Sequence, residues 1–407
     1  MDILPILSTL RRHKITAFLV IIEIALTCAI VCNAVFIINQ RLDRMSMQSG
    51  IDEHHLVHVL MADIGVTKDQ KARSQEDLAT LRQIPGVASV SSVMQVPFGN
   101  SSSNAGIKLD PKQNQPTLNA TLYSGVNVVR TLGLQLMAGR DLMPDEYIDF
   151  DDVVRAAAAK DAKSVPHVVV ITQGLAERLW PGQQALGKQL YISDWPLTVV
   201  GVVKELIRPY IENDAERSYS MILPMRESRG EYIIRTKSPQ DRDSVLTAAV
   251  AKLKEINSHR VVLKKQTLDE MRHDFFQNDR AMTGLLVGVC IALLVVTALG
   301  IVGLGSFWVA QRRRQIGVRR ALGATRSNIL RYFQTENFLL ATIGIVLGMV
   351  MAYGINLLLM LHYELPRLPV IYFPVGAVLL WIIGQLAVLG PAMRAAAVPP
   401  VVATRSV

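Results

Sequence analysis

The sequence predicts a membrane protein in which four transmembrane helices carry one large α+β domain, inserted between the first helix and the second. Four apolar runs are long enough to cross a hydrocarbon core of about 30 Å, which takes about 20 residues of helix. The runs cover residues 15–38, 281–310, 338–361 and 370–389. Residues 41–280 separate the first run from the second, and an arginine-rich segment separates the second from the third.

The first run could be a secretory signal peptide, because Arg11, Arg12 and Lys14 precede it. A signal peptide has an apolar region of only about 7–15 residues, so the 24 residues of 15–38 predict an uncleaved membrane anchor instead. Glu23 lies inside this run, where an ionised group is costly. We therefore predict an intramembrane polar role for Glu23, either packing against another helix or subunit, or contacting substrate.

The segment 41–280 alternates strand and helix patterns and predicts an α+β domain. Residues 168–172 form a β-branched run typical of a buried strand. Residues 100–116 are polar and predict a long exposed loop. The domain holds 30 basic and 30 acidic residues, so the net charge of +9 belongs entirely to the rest of the chain.

The segment 311–331 contains seven arginines and no acid. Short cytoplasmic loops concentrate Lys and Arg, so this segment, the N-terminus and the tail with Arg394 and Arg405 are predicted to be cytoplasmic. Residues 41–280 are then outside. The arginines could contact anionic lipid or a cytoplasmic protein, and charge alone does not separate the two.

Two glycine pairs, Gly284 with Gly288 and Gly344 with Gly348, have the small-xxx-small spacing that lets helices approach closely. They predict tight helix packing. At the start of the third run, Glu336 is predicted to pair with an arginine.

Several function classes have no support in the sequence. The neutral outer domain argues against nucleic-acid binding. Residues 182–189 nearly match a phosphate-binding P-loop but end in Gln189, without the hydroxyl that would hold magnesium. His54, His55 and His58 are interpreted as surface residues, because a zinc site needs further ligands. We predict no catalytic residue, no metal site and no cofactor bound by this chain.

The residues 315–324, with the sequence QIGVRRALGA, resemble the E-I-G-[IV]-R-x-A-[LV]-G-A signature of FtsX-like permeases, the MacB type of ABC transporter membrane subunit. The segments 180–188, 199–203 and 391–396 also resemble this family. The order of one span, a large domain and three spans is the family's own.

The resemblance implies a permease of the mechanotransmission type in the bacterial inner membrane, with a periplasmic domain. Residues 1–40 would hold the first span. Residues 41–280 would form the periplasmic core, with an inserted part at roughly 120–225. Residues 281–407 would form the FtsX-like domain.

The resemblance also implies partners. These are a dimer of a cytoplasmic ATPase, which would bind ATP and Mg, and a second permease, identical or paralogous. A periplasmic adaptor and an outer-membrane channel are further partners that it allows. The implied activity is export or efflux; FtsX-like signalling to a periplasmic partner and lipoprotein release are the alternatives.

The segment 311–331 would be the coupling loop that meets the ATPase. Its coupling residues by resemblance are Arg312, Arg313, Arg314, Gln315, Ile316, Gly317, Arg319, Arg320, Leu322, Gly323 and Ala324. Two residues depart from the family pattern. Gln315 replaces the usual Glu, and Glu23 lies in a span that is usually uncharged.

Overall fold

The computed structural model describes residues 14–64, 69–99, 102–159, 161, 164–210, 216–363 and 367–399. Arg11, Arg12 and Arg405, to which the sequence assigns a cytoplasmic position, lie outside the described residues. The chain divides into two compact units. One consists of Met1–Ser46 and Asn278–Val407, and the other of Met47–Gln277.

The described elements alternate between helices and strands through the second unit and are helical in the first. In chain order they are α1 (Lys14–Ser46), β1 (Leu56–Asp63), α2 (Gln70–Arg82), β2 (Val87–Ser92), β3 (Asn104–Lys108), β4 (Leu118–Ser124), α3 (Val128–Leu132), β5 (Leu136–Gly139), β6 (Ile148–Asp149), α4 (Phe150–Ala159), β7 (Val168–Thr172), α5 (Gln173–Leu179), β8 (Gln189–Ile192), β9 (Trp195–Val203), β10 (Ser220–Leu223), β11 (Met225–Arg226), β12 (Glu231–Thr236), α6 (Arg242–Ile256), β13 (Arg260–Thr267), α7 (Leu268–Phe275), α8 (Gln277–Gln311), α9 (Arg313–Ala321), α10 (Arg326–Tyr363) and α11 (Tyr372–Ala396).

Four described helices are long and apolar enough to cross a membrane, which confirms the number of spans predicted from the sequence. They cover Lys14–Ser46, Gln277–Gln311, Arg326–His362 and Tyr372–Ala396. The second has 35 residues, or about 52 Å at about 1.5 Å per residue, so it exceeds the hydrocarbon thickness.

Helix α1 lies at the centre of the helical unit. Half of its most apolar window is buried, against 17% for α8. Small residues of α1 meet glycines of α10, so the two backbones approach closely. Cys28 and Cys32 are buried in this contact region as free thiols. Helix α8 therefore packs far less against its own chain than α1 does.

In the second unit, one sheet has the strand order β13-β1-β12-β2, with antiparallel pairing throughout. Its strands come from both ends of the unit. Helices α2 and α6 contribute Leu81, Val245 and Leu253 to the core that covers the sheet. The two ends of the inserted chain are thus joined in one sheet.

The other main sheet of this unit has seven strands in the order β5-β9-β7-β10-β4-β3-β8. The β7–β9 and β10–β4 pairs are parallel. The predicted buried strand is β7, in which Val169, Val170 and Ile171 are fully buried. This sheet lies between Asn104 and Leu223.

The prediction of an exposed loop over residues 100–116 is wrong, because this segment contains strand β3. The strand pairs with β4 on one side and β8 on the other. Ile107 is its fully buried side chain, and the flanking residues are exposed or half-buried. A polar strand of this kind is held by backbone pairing to its neighbours, so its own sequence carries little of the usual apolar alternation.

A buried carboxylate follows β11. Glu227 is 3% exposed, and the Ser124 hydroxyl donates to its Oε1 at 2.5 Å. Its Oε2 atom accepts no hydrogen bond from the described residues, and Arg229 Nε lies 3.9 Å away. Burial raises the pKa of Glu227 above its ordinary value.

Candidate coupling site

A short helix, α9, lies between the long helices α8 and α10, inside the arginine-rich segment. Arg312 separates it from α8 with non-helical backbone angles. At its other end, Ala324 N donates to Arg319 O at 3.0 Å, and Gly323 N donates to Arg320 O at 3.2 Å. These two bonds form a Schellman C-cap, which needs a left-handed residue. Gly323 supplies it with φ +96°.

One side of α9 is anchored in an apolar cluster. Ile316 and Gly317 are buried, and Ile316 belongs to a cluster with Val309 of α8, Phe333 of α10 and Ala395 of α11. The cluster joins four helices, so α9 is held in a defined position against the ends of the long helices.

The other side of α9 is exposed and combines arginines with apolar groups. Leu322 is 82% exposed and Val318 44%. The exposed polar residues of this helix are Arg313, Arg314, Gln315 and Arg319. We call Arg313, Arg314, Gln315, Val318, Arg319 and Leu322 the α9 surface.

Two arginines of α9 also bind neighbouring helices. Arg320 donates from Nη1 to the carbonyl oxygen of Ala396 at the end of α11. The guanidinium carbon of Arg319 lies 4.9 Å from the centroid of the Tyr332 ring of α10, a cation–π contact. Arg320 is therefore placed to hold α9 in position, and Arg319 combines this role with surface exposure.

Arg312 points into the helical unit and not onto the α9 surface. Its Nη1 donates to both carboxylate oxygens of Glu336, at 3.1 and 3.0 Å, and its side chain is 8% exposed against 1% for Glu336. The prediction that Glu336 pairs with an arginine is confirmed. The Arg312 guanidinium also lies 5.7 Å from the Trp308 ring centroid.

Glu23 lies in α1 and is half-buried. Its carboxylate oxygens stand 2.5 Å from the place that a Cβ on Gly300 of α8 would occupy. One turn along α1, the hydroxyls of Thr27 and Thr297 are hydrogen-bonded at 2.8 Å. Glu23 thus packs against α8 through a glycine gap and next to a polar contact.

The two predicted glycine pairs differ in their surroundings. A Cβ on Gly348 would lie 2.5 Å from Cys28 Cβ, and one on Gly344 would lie 2.9 Å from Ile24 Cβ. A Cβ on Gly284 or Gly288 would meet nothing within 4 Å among the described residues. The predicted packing role of Gly284 and Gly288 stays a prediction.

Two known protein families match this chain and together cover most of it. The MacB-like periplasmic core domain matches residues 15–252, and the FtsX-like permease C-terminal domain matches residues 287–400. The chain belongs to the MacB-like, FtsX-type ABC transporter permeases. The match confirms the family resemblance seen at residues 315–324. As a membrane-spanning permease with a periplasmic domain, the protein belongs in the inner membrane.

Individual relatives are distant in sequence. A probable export ATP-binding/permease protein MacB of Pseudomonas entomophila (strain L48) is 30% identical over 51% of this chain and 32% of its own length. The chain therefore spans about a third of that relative's length. The uncharacterized ABC transporter permease YknZ of Bacillus subtilis (strain 168) is 23% identical over 98% of this chain and 97% of its own length. The extracellular domain of YknZ from Gram-positive bacteria, a crystal structure, aligns with 51% of this chain at 16% identity, with a TM-score of 0.33.

The sequence did not single out every residue near this site. Trp308 and Asn337 lie beside the Arg312–Glu336 pair and are each 6% exposed. Trp308 lies within an apolar run and Asn337 directly precedes one, and neither residue type gives a sign of its partner there. Only the packing of α8 against α10 brings them together.

Proposed function

We propose that this chain is the permease subunit of an ABC transporter of the mechanotransmission type, working in export. An ATPase on a separate polypeptide binds ATP and Mg and docks on the α9 surface from the cytoplasm. Both termini of the permease lie on that same side. YknZ supports this division of labour, because it is named a permease and aligns over 97% of its length.

The observation that carries the proposal is the two-sided construction of α9. Its buried side is fixed by Ile316 in a four-helix cluster, while its outer side leaves Leu322 82% exposed among arginines. Interfaces are enriched in Arg and in apolar groups that become desolvated on binding. A surface of this kind on a firmly held helix suits the docking of a protein.

The same construction gives a path for movement. Helix α8 is continuous over 35 residues and ends one residue before α9. Only 17% of its most apolar window is buried, so few packing contacts within its own unit oppose its displacement. Movement of a docked ATPase would shift α9, and α8 would carry that shift along its length as a rigid element.

The docking assignment is tested by co-purifying the partner ATPase with variants of this permease. The variant carries Arg313→Gln, Arg314→Gln and Leu322→Gln, and the control carries Arg326→Gln and Arg331→Gln, two exposed arginines of α10. Loss of an interface anchor costs about 2 kcal/mol or more, so we expect affinity to fall at least about 30-fold. The control should bind within about threefold of the native chain.

An ATPase that binds the α9 variant as tightly as the native chain would overturn the docking assignment. The variants change few positive charges and leave Arg312, Arg319 and Arg320 in place, so the positive charge that keeps the loop in the cytoplasm is largely retained.

Export is tested separately in reconstituted vesicles with the ATPase. A periplasmic hydrolase as the sole bound partner, with no ATP-dependent substrate movement, would favour the signalling alternative.

A further inference from the structure

A small cavity lies inside the helical unit, next to the junction of α8 and α9. It has a volume of about 20 Å³, and its walls are mainly apolar side chains from α1, α8, α10 and α11. Three of its lining residues are polar: Trp308, Glu336 and Asn337. All three are at least nine-tenths buried.

Two hydrogen-bond donors of this cavity have no acceptor among the described residues. Trp308 Nε1 and Asn337 Nδ2 are fully enclosed and make no hydrogen bond with any described residue. A buried N–H without a partner is costly, and nearly all such groups in folded proteins are paired with protein or with ordered water. The two donors therefore point to a bound acceptor.

The charges around the cavity select a neutral ligand. The carboxylate of Glu336 lines the cavity and disfavours an anion, and its pairing with Arg312 at 3.1 and 3.0 Å removes the need for a bound cation. A carboxylate has about four lone-pair sites, more than the two that Arg312 uses on Glu336. The ligand must accept from two N–H groups and be able to donate to a carboxylate.

The volume sets the size of the ligand. A water molecule needs about 10–15 Å³ of such space and two to four polar partners. The cavity offers enough for one water and too little for a larger solute. Empty cavities in proteins are lined by apolar groups alone, which does not describe this one.

We propose that this cavity is an internal water site, in which one ordered water accepts from Trp308 Nε1 and Asn337 Nδ2 and donates to Glu336. The water joins α8 to α10 near Arg312, the residue that separates α8 from α9. It extends the Arg312–Glu336 pair into a larger polar network within the helical unit. The site does not depend on the proposed docking of an ATPase.

The test uses the full chain, with ¹⁵N-labelled tryptophan, in nanodiscs of deuterated lipid. Cross-relaxation between each indole N–H and water is measured by NMR, and Trp308→Phe assigns the Trp308 signal. We expect a water cross-peak at Trp308. Trp381 is the internal comparison, because its Nε1 donates to Thr342 Oγ1 at 3.1 Å and needs no water.

A second variant tests the donor set. Asn337→Leu removes the amide and keeps a side chain of similar length, and we expect it to weaken the Trp308 water cross-peak several-fold and to lower the unfolding midpoint. The control is Asn356→Leu, which removes a buried amide elsewhere in α10 that accepts from Leu368 N at 2.9 Å. This control should lower the midpoint and leave the Trp308 cross-peak unchanged.

Three results overturn the proposal. One is a Trp308 indole without a water cross-peak in the native chain. Another is an Asn337→Leu chain whose cross-peak is unchanged. The third is a midpoint that rises in Asn337→Leu, because a buried donor without an acceptor carries a desolvation penalty that its removal would relieve.

Discussion

Removing one member of the Arg312–Glu336 pair should destabilise the helical unit far more than removing both. The two side chains are 8% and 1% exposed, with contacts of 3.1 and 3.0 Å. Two unit charges about 4 Å apart attract by about 4 kcal/mol at an effective dielectric constant of about 20. Desolvation of both charges offsets much of this attraction, so the pair itself adds little net stability.

The perturbations are Arg312→Met, Glu336→Leu and the double variant. Each single change takes one member of the buried pair away from the other, and such a loss costs about 3–5 kcal/mol. The double change removes both charges at similar volume and should cost less than about 1–2 kcal/mol. The coupling energy between the two positions is then about 3 kcal/mol or more, well above the error of such a cycle.

The assay is reversible unfolding in mixed micelles of detergent and SDS, followed by tryptophan fluorescence, for all four chains of the double-mutant cycle. Arg331→Met is the matched control, because Arg331 is an exposed arginine on the same helix as Glu336. The control should change the unfolding free energy by less than about 0.5 kcal/mol. Additive effects of Arg312→Met and Glu336→Leu would refute a buried, mutually dependent pair.

Two further predictions concern packing and pH. Gly348→Ala should destabilise the helical unit by about 1–3 kcal/mol, because its Cβ would lie 2.5 Å from Cys28 Cβ. Gly284→Ala should be neutral or slightly stabilising in the same micelle assay, because its Cβ meets no atom of the described residues within 4 Å. For the Met47–Gln277 unit, the raised pKa of Glu227 means that the folded state binds the proton more tightly, so stability falls as the pH rises above 4.5, its ordinary value. Glu227→Gln should therefore raise the melting midpoint at pH 7.5 and lose that advantage near pH 4, and an equal gain at both pH values would contradict the assignment.

The sequence by itself determined the layout of this protein. Transmembrane helices are readable because a bilayer demands about 20 consecutive apolar residues, whereas the core helices of soluble domains alternate apolar with polar faces. The family signature at residues 315–324 is local as well, since its residues form one continuous helix and its cap. Gly323, with φ +96°, ends this helix.

The predictions within the outer domain were less complete. Strand β3 was missed because Ile107 is its one fully buried side chain, and its position depends on β4 and β8, which lie elsewhere in the chain. A strand held mainly by its neighbours carries little signal of its own.

Tertiary structure alone decided which arginines of the loop face outward and which face inward. In the sequence, the seven arginines between 311 and 331 each add one positive charge, and nothing distinguishes their roles. The structure buries Arg312 against Glu336, ties Arg320 to Ala396 and leaves Arg313 and Arg314 exposed. The physical reason is that an arginine's role is set by its counter-ion or acceptor, and those partners stand on α10 and α11, far along the chain and near only after the helices pack.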